Sequence, residues 1–342
     1  MMKAWRIHSF DGTYGMKMDE ISVPHINDDQ VLVKVSAVSL NYRDKAIMDG
    51  TYGIKFEKGL IPVSDTCGII EKVGKNVKKF KVGDRVVNHF LSHWMEGEAK
   101  SNEEQFSYGG PLNGGLAKYI ILDENSCLIP PKHYTDEECS TLPIAACTAW
   151  YSLMNVGGIE SKLKSNQTVL IQGTGGVSLF ALQISHSIGA KTILLTSNEE
   201  KKERLLKMGA THVINYKTHN EWEKEVMKLT NDQGVNHVLD VVGGDYINRS
   251  IRCSHTHGHI YMIGFLKESN AKINLFDALF KRINLHGIGV SPKDSFQEMI
   301  NQLSTNFIFK PVIDTIYDFD DSIKAFQHLS RGSFGKIVIK LN

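Results

Sequence analysis

Residues 30–38, QVLVKVSAV, alternate apolar and polar side chains, the period-two pattern of a strand with one face in a core. Residues 68–73, 84–87 and 116–122 repeat this texture, punctuated by Gly74 and Gly83, so the first part of the chain predicts a β-rich domain. Residues 91–115 carry Trp94, Gly109, Gly110 and Pro111 without periodicity and read as an irregular loop, of the kind that serves as a lid or as a surface insertion. From Pro143 onward the pattern changes. Residues 145–156 have helical spacing, and residues 168–183, TVLIQGTGGVSLFALQ, read as strand, glycine turn and helix. Strands follow at 192–195, 211–215, 236–242, 260–264 and 283–290, with helices at 199–208 and Trp222–Leu229 between them. This alternation predicts an α/β fold with a doubly wound parallel sheet. A helix at 322–329 and a strand at 336–339 are expected to return to the first domain.

The glycine turn carries the most chemistry. Gly173-Thr174-Gly175-Gly176 follows an apolar run and opens a helix, which lets the backbone approach a pyrophosphate where unpaired N–H groups and the helix dipole favour negative charge. Val177 is next, and Ser178 stands where a third glycine is usual, a position that governs helix–strand packing and accepts a small residue. A site preferring NAD offers Asp or Glu to the ribose about twenty residues further on. Here the chain reads Thr196-Ser197-Asn198, then Glu199, Glu200 and Lys201. Hydroxyls, an amide and an ammonium suit a 2′-phosphate, so NADPH is expected over NADH, although Lys201 and Lys202 also fit the solvated face of a helix.

Composition narrows the partners. The 342 residues suggest two domains, and a net charge of +1 provides no field for nucleic acid or an acidic membrane surface. The start, MMKAWRIHSFDG, lacks an apolar segment, and the five cysteines are scattered and never spaced CxxC; a cytoplasmic protein with reduced thiols is expected.

An ordered set of motifs then resembles the medium-chain dehydrogenase/reductase superfamily over essentially the whole chain. Asn41-Tyr42-Arg43-Asp44 with Gly50 and Tyr52 is similar to the N-Y-x-D…G-x-Y stretch of its quinone oxidoreductase-like branch. Gly83-Asp84-Arg85-Val86, Pro143 with Thr148-Ala149-Trp150, Asn215-Tyr216, Leu239 to Gly244 and Phe334-Gly335-Lys336-Ile337 fill later slots in the same order. The resemblance implies a GroES-like catalytic domain at 1–144, a Rossmann dinucleotide-binding domain at 145–290 and a return segment at 291–342, with the active site in an interdomain cleft. It implies a homodimer through edge strands near 261–264 and 285–290. It places Tyr216 by the adenosine end of the cofactor and Gly264 and Phe265 near the nicotinamide, with Val242, Gly243, Phe334 and Lys336 also in the cofactor set.

The alcohol dehydrogenase branch of this family holds a catalytic zinc. Its three ligand slots fall here on Asn41, Asp65 and Ile144, and no cysteine lies between Cys67 and Cys127 to form a structural-zinc lobe. Zinc needs several N or S ligands, so none is expected. The alternating His255, His257 and His259, and the His89–His93 pair, are read as surface or packing residues, the first three in a stretch preceding a strand. Without a Lewis acid a plain ketone loses its carbonyl polarisation, whereas a quinone or an α,β-unsaturated carbonyl needs less help. The expected activity is therefore NADPH-dependent reduction of such a small molecule, with Tyr42 and Tyr52 as candidate proton donors and Asn41 orienting the substrate or the cofactor's carboxamide. Phe90 and Trp94 are expected to wall the pocket. Asp65 is expected to face the cleft and to bond Arg43 or a backbone group, or to select a polar substrate. A zinc-independent alcohol or aldehyde dehydrogenase, and a non-catalytic NADPH-binding sensor, are the alternatives.

Overall fold

A computed structural model describes residues 1–305 and 309–341. The chain divides into two compact units. One gathers Met1–Cys147 with two C-terminal segments that begin at Pro292 and Lys310; the other is built on Thr148–Ser291. In chain order the first unit contributes β1 (Met2–Ile7), β2 (Met16–Ile21), β3 (Gln30–Ser39), α1 (Tyr42–Met48), β4 (Asp65–Val73), β5 (Arg85–Asn88), β6 (Tyr119–Asp123), β7 (Cys127–Leu128) and α2 (Asp136–Ser140). Helix α3 (Cys147–Met154) leads into β8 (Thr168–Gln172), α4 (Gly176–Ile188), β9 (Lys191–Thr196), α5 (Glu199–Lys207), β10 (His212–Asn215) and α6 (Trp222–Leu229). Then come β11 (Val235–Asp240), α7 (Tyr246–Arg252), β12 (Ser254–Met262), α8 (Leu275–Lys281) and β13 (Asn284–Gly287). Helix α9 (Lys293–Thr305), β14 (Ile313–Asp318), α10 (Ser322–Arg331) and β15 (Lys336–Lys340) complete the first unit.

The second unit is the doubly wound sheet that the alternating pattern predicts. Its six strands run in the order β10-β9-β8-β11-β12-β13, each pair parallel. Val169, Leu170 and Ile171 are fully buried, as a strand covered by helices on both faces requires. The first unit is β-rich, with a seven-stranded sheet ordered β14-β15-β3-β4-β5-β7, β6 pairing β3 beside it, and a separate β1-β2 ladder. β3 is its organising strand: it pairs antiparallel with β15 through Val338↔Ser39 and with β4 through Ser39↔Asp65. That double register fixes the site, because it brings the first residue of β15, the end of β3 and the first residue of β4 side by side.

Several boundaries differ from the sequence reading. β4 starts at Asp65, not residue 68, and the helix expected at 145–156 is α3 preceded by a π-helical turn at Leu142–Ala146 that contains Pro143. His255, His257 and His259 lie within β12 and not in a stretch preceding it. The irregular 91–115 loop contains one 3₁₀ turn, Glu103–Phe106. No helix among the described residues is long and apolar enough to cross a membrane.

Candidate active site

In the first unit, Asn41 is the N-cap of α1 with extended backbone (φ −123°, ψ 160°). Its N–H donates to Asp44 Oδ2 at 2.7 Å, the usual service of an acidic residue in the first turn. The other Asp44 oxygen accepts from the Ser64 N–H and hydroxyl, both at 3.1 Å. Asp44 thus ties α1 to the approach of β4. Burial pushes its carboxyl up, against the lowering pull of Arg43.

Arg43 fans its guanidinium over one side of this ground. It donates to Ser64 Oγ (2.8 Å), Ser107 Oγ (3.0 Å), Tyr108 O (3.2 Å), Gly110 O and the Tyr52 hydroxyl (3.2 Å). Its Cζ stands 4.8 Å from the centre of the Phe90 ring and 5.0 Å from that of Tyr52. Phe90, an expected pocket wall, and Tyr52, a candidate proton donor, are therefore brought together by Arg43, which was expected only as a partner of Asp65. Arg43 does not serve Asp65, which corrects one expected pairing; the other expectation, a backbone partner, holds through Ile144. Tyr42, on the first turn of α1, is more than a third exposed, and Trp94 is buried with Nε1 on Gly97 O at 3.0 Å.

Asp65 is fully buried at the head of β4. Its Oδ2 accepts from Asn41 Nδ2 at 2.9 Å, and the Ser39 hydroxyl and the Ile144 N–H approach the same oxygen at 3.4 Å. Lys336 Nζ lies 3.6 Å from that oxygen and donates to Asn41 Oδ1 at 2.6 Å. Oδ1 of Asp65, equally buried, has no hydrogen-bond partner among the described residues. Burial pushes the Asp65 carboxyl up to about 6, with Lys336 and the Asn41 amide pulling back; burial also pushes the Lys336 ammonium down, with Asp65 and Asp44 holding it up. Lys336, expected beside the cofactor, has its amine on Asn41, and Phe334 is buried with its N–H on Asp314 Oδ2 at 2.7 Å. Of the three zinc-ligand slots, one holds an amide bound to an ammonium, one a carboxylate facing the same ammonium, and one an isoleucine. Such a donor set, with a resident cation, does not suit zinc. Among the described residues no three His, Cys, Asp or Glu side chains gather into a metal cluster.

In the second unit, Gly173 takes φ +76°, a left-handed conformation that favours glycine, and Gly175 has open space where a Cβ would stand. Gly176 and Val177 begin the thirteen-residue α4. Ser178, buried at the third-glycine position, donates from Oγ to Gln172 O at 2.7 Å and so closes the turn against β8. Lys201 Nζ reaches Thr174 Oγ1 at 3.3 Å, and Asn198 caps α5 by accepting from the Lys201 N–H at 3.2 Å. Thr196 ends β9 and is buried; Tyr216, half exposed, donates its N–H to Thr196 O at 2.9 Å. At the end of β11, Asp240 Oδ1 accepts from the N–H groups of Val242 (3.2 Å) and Gly243 (3.1 Å). A Cβ on Gly264 would come within 2.7 Å of Val241 O, so only glycine lets these two loops meet. Phe265 follows in that loop. The residues fit a dinucleotide: a bare glycine turn at a helix start, a cation beside it, and a close backbone approach of two loops that Gly264 permits.

The family comparisons agree with this geometry. Residues 27–132 match the model of the alcohol dehydrogenase GroES-like domain, and residues 176–305 match that of zinc-binding dehydrogenases. A zinc-type alcohol dehydrogenase-like protein of Schizosaccharomyces pombe is 38% identical over 333 residues, 96% of this chain and 95% of that one. The chain belongs to the medium-chain dehydrogenase/reductase superfamily. The quinone oxidoreductase of Sus scrofa is 26% identical over 350 residues, 100% of this chain and 98% of its own. A solved structure from Sinorhizobium meliloti 1021 superposes with a TM-score of 0.92 at 34% identity, covering 99% of this chain and 98% of that one. As a member of this superfamily the protein is an oxidoreductase that uses a nicotinamide cofactor.

Proposed function

We propose that this chain is a zinc-independent, NADPH-dependent reductase of quinones or α,β-unsaturated carbonyls. The observation that carries the reading is the Asn41–Asp65–Lys336 cluster, which puts a buried ammonium and no thiolate or imidazole where the alcohol dehydrogenase branch keeps its metal. A conjugated substrate spreads the charge that forms on reduction, so hydrogen-bond donors can replace a Lewis acid. When bound, the nicotinamide supplies the hydride. The chain's own part is to bind the acceptor beside Phe90 and Tyr52, to meet the developing oxygen charge with donors at Asn41, and to hold a hydroxyl (Tyr42 or Tyr52) or water from which a proton is collected.

Preference for NADPH is supported by the Lys201 ammonium at the glycine turn and by the fate of the nearest acid. Glu199 is taken up by Asn215 Nδ2 (2.7 Å) and by Lys202 (3.5 Å), so it is drawn away from a 2′-phosphate. A homodimer is supported by β13, which stands at the sheet edge, and by the exposed Leu275, Phe276, Leu279 and Phe280 of α8. Five buried cysteines, none of them in a disulfide among the described residues, suit the cytoplasm. The test is NADPH oxidation at 340 nm against quinones, enones and aldehydes, with NADH and a chelator in parallel. Chelator-resistant turnover of quinones or enones with NADPH is the expected result. Turnover lost to chelator, or confined to simple aldehydes and alcohols, would overturn the reading.

A further inference from the structure

The cluster at Asn41 has an asymmetry that a merely structural network does not need. Asp65 is 0% exposed and Lys336 3%, whereas Asn41 between them is only half buried. Of these three residues Asn41 alone keeps appreciable solvent exposure. Its flip is set by its partners: an ammonium can only donate, so it takes Oδ1, and an ionised carboxylate can only accept, so it takes Nδ2. Asp65 uses one of the two Nδ2 protons. The second is left for a ligand oxygen.

An ammonium 2.6 Å from the amide oxygen draws electron density from the nitrogen and makes its N–H groups stronger donors, as cooperative hydrogen-bond chains do in a medium of low dielectric. The strand register keeps this arrangement rigid, because Ser39↔Asp65 and Val338↔Ser39 lock three backbones around it, with Leu40 N–H on Ile337 O at 2.9 Å. We propose that Lys336 and Asp65 are positioning residues that clamp and polarise the Asn41 amide, making it the donor to the oxygen that gains charge as the acceptor is reduced. The amide gives up no proton; it only stabilises the anion until water or a hydroxyl protonates it. This rests on the reductase reading above.

The test is a double-mutant cycle with a rescue arm. Removing one oxyanion donor costs about 100-fold in kcat, so N41A should fall by that order with KM little moved. K336M should lose about tenfold or more in kcat, again with KM held, while adding K336M to N41A should change nothing further, because Lys336 acts through the amide. K336A should regain part of its kcat on addition of ethylammonium. D65N/K336M, which removes both charges together, controls for an unpaired buried charge, and urea unfolding of every variant controls for folding. Additive losses in N41A/K336M, or a K336M loss seen in KM alone, would overturn the clamp.

A wild-type protein that reduces no quinone or enone would refute the reductase reading instead. The clamp then stands or falls on the side-chain ¹⁵N signal of Asn41 in asparagine-labelled protein, assigned by its loss in N41A. It should move in K336M; an unmoved signal would overturn the clamp whatever the substrate.

Discussion

Two buried aspartates, one in each unit, are furnished in opposite ways. Asp240, at the end of β11, shares its donors evenly. Oδ1 takes the N–H groups of Val242 and Gly243, and Oδ2 takes Gln172 Nε2 (3.2 Å) and Ser250 Oγ (2.9 Å). Asp65 crowds its neighbours onto Oδ2 and leaves Oδ1 with none among the described residues. An ionised carboxylate surrounded by neutral donors on both oxygens is a settled structural group. One with an empty oxygen and an ammonium alongside keeps a cost that packing alone would have removed, since a buried ion pair is often no better than apolar residues of the same size. The first anchors the 242–243 turn; the second is the group to which the proposed clamp gives a part in chemistry.

The strongest way to break this comparison is to remove Asp240. D240A leaves four donors without their acceptor in a buried place and should cost about 3–5 kcal/mol in urea unfolding, with weaker NADPH binding because the 242–243 turn loses its anchor. A loss below about 1 kcal/mol would show that Asp240 is no more structural than Asp65.

This contrast was half legible in the chain. The glycine turn, the alternating strands and Ser178 at the third-glycine position are local patterns, and periodicity carries them. Asp65 and Asn41 were singled out because they occupy ligand slots, but their partner Lys336 lies 295 residues from Asn41 in sequence. Only the β15-β3-β4 register joins them, and a single sequence does not reveal register between strands so far apart. Arg43 is visible in a motif, but three of its five acceptors lie in the 107–110 loop, whose path no periodicity encodes. Short elements such as α1, α7 and α8, each seven residues, span too few turns for a helical stripe to stand out. Gly258 and the polar run before it mask the β12 pattern, which hides His259 as a strand residue.

Titration sharpens the comparison at slightly lower energy. His237 is buried in β11 with Nε2 on Gln167 Oε1 and Nδ1 on the Tyr261 hydroxyl, both at 3.0 Å, so its neutral form is fully bonded. Burial, with His259 and His286 beside it, pushes its pKa down to about 3 from 6.5. A histidine held neutral stabilises the fold fully above pH 6.5 and loses that contribution as pH falls, about 3 kcal/mol by pH 4. Asp65 has the opposite sign. Its carboxyl is raised to about 6 from 3.8, so the fold favours its protonated form, and that contribution, also about 3 kcal/mol, is lost as pH rises from 4 to 6. Asp44, raised by burial too, acts in the same sense as Asp65. Between pH 4 and 6 the two opposed contributions largely cancel in the wild type. In urea titrations H237Q should lose stability as pH rises through this window, and D65N should gain it. Parallel slopes in the two variants would contradict the assignment of opposite roles to the two units' buried groups.

A smaller effect tests whether the second unit contributes charge to recognition as well as shape. K201A removes the ammonium beside Thr174 and should weaken NADPH about tenfold, the order of one exposed charge-assisted contact, with NADH unchanged. Equal loss for both cofactors would make Lys201 part of the general phosphate cradle.

The smallest effect separates scaffold from site within the glycine turn itself. Ser178 Oγ donates to the backbone oxygen of Gln172, the residue whose side-chain amide serves Asp240. S178A removes a single neutral hydrogen bond and should cost about 1 kcal/mol by urea unfolding, while NADPH binding changes less than about twofold. If the hydroxyl instead touched the cofactor, binding would weaken with little change in stability. That outcome would move Ser178 from the structural side of the comparison, with Asp240, to the functional side, with Asp65.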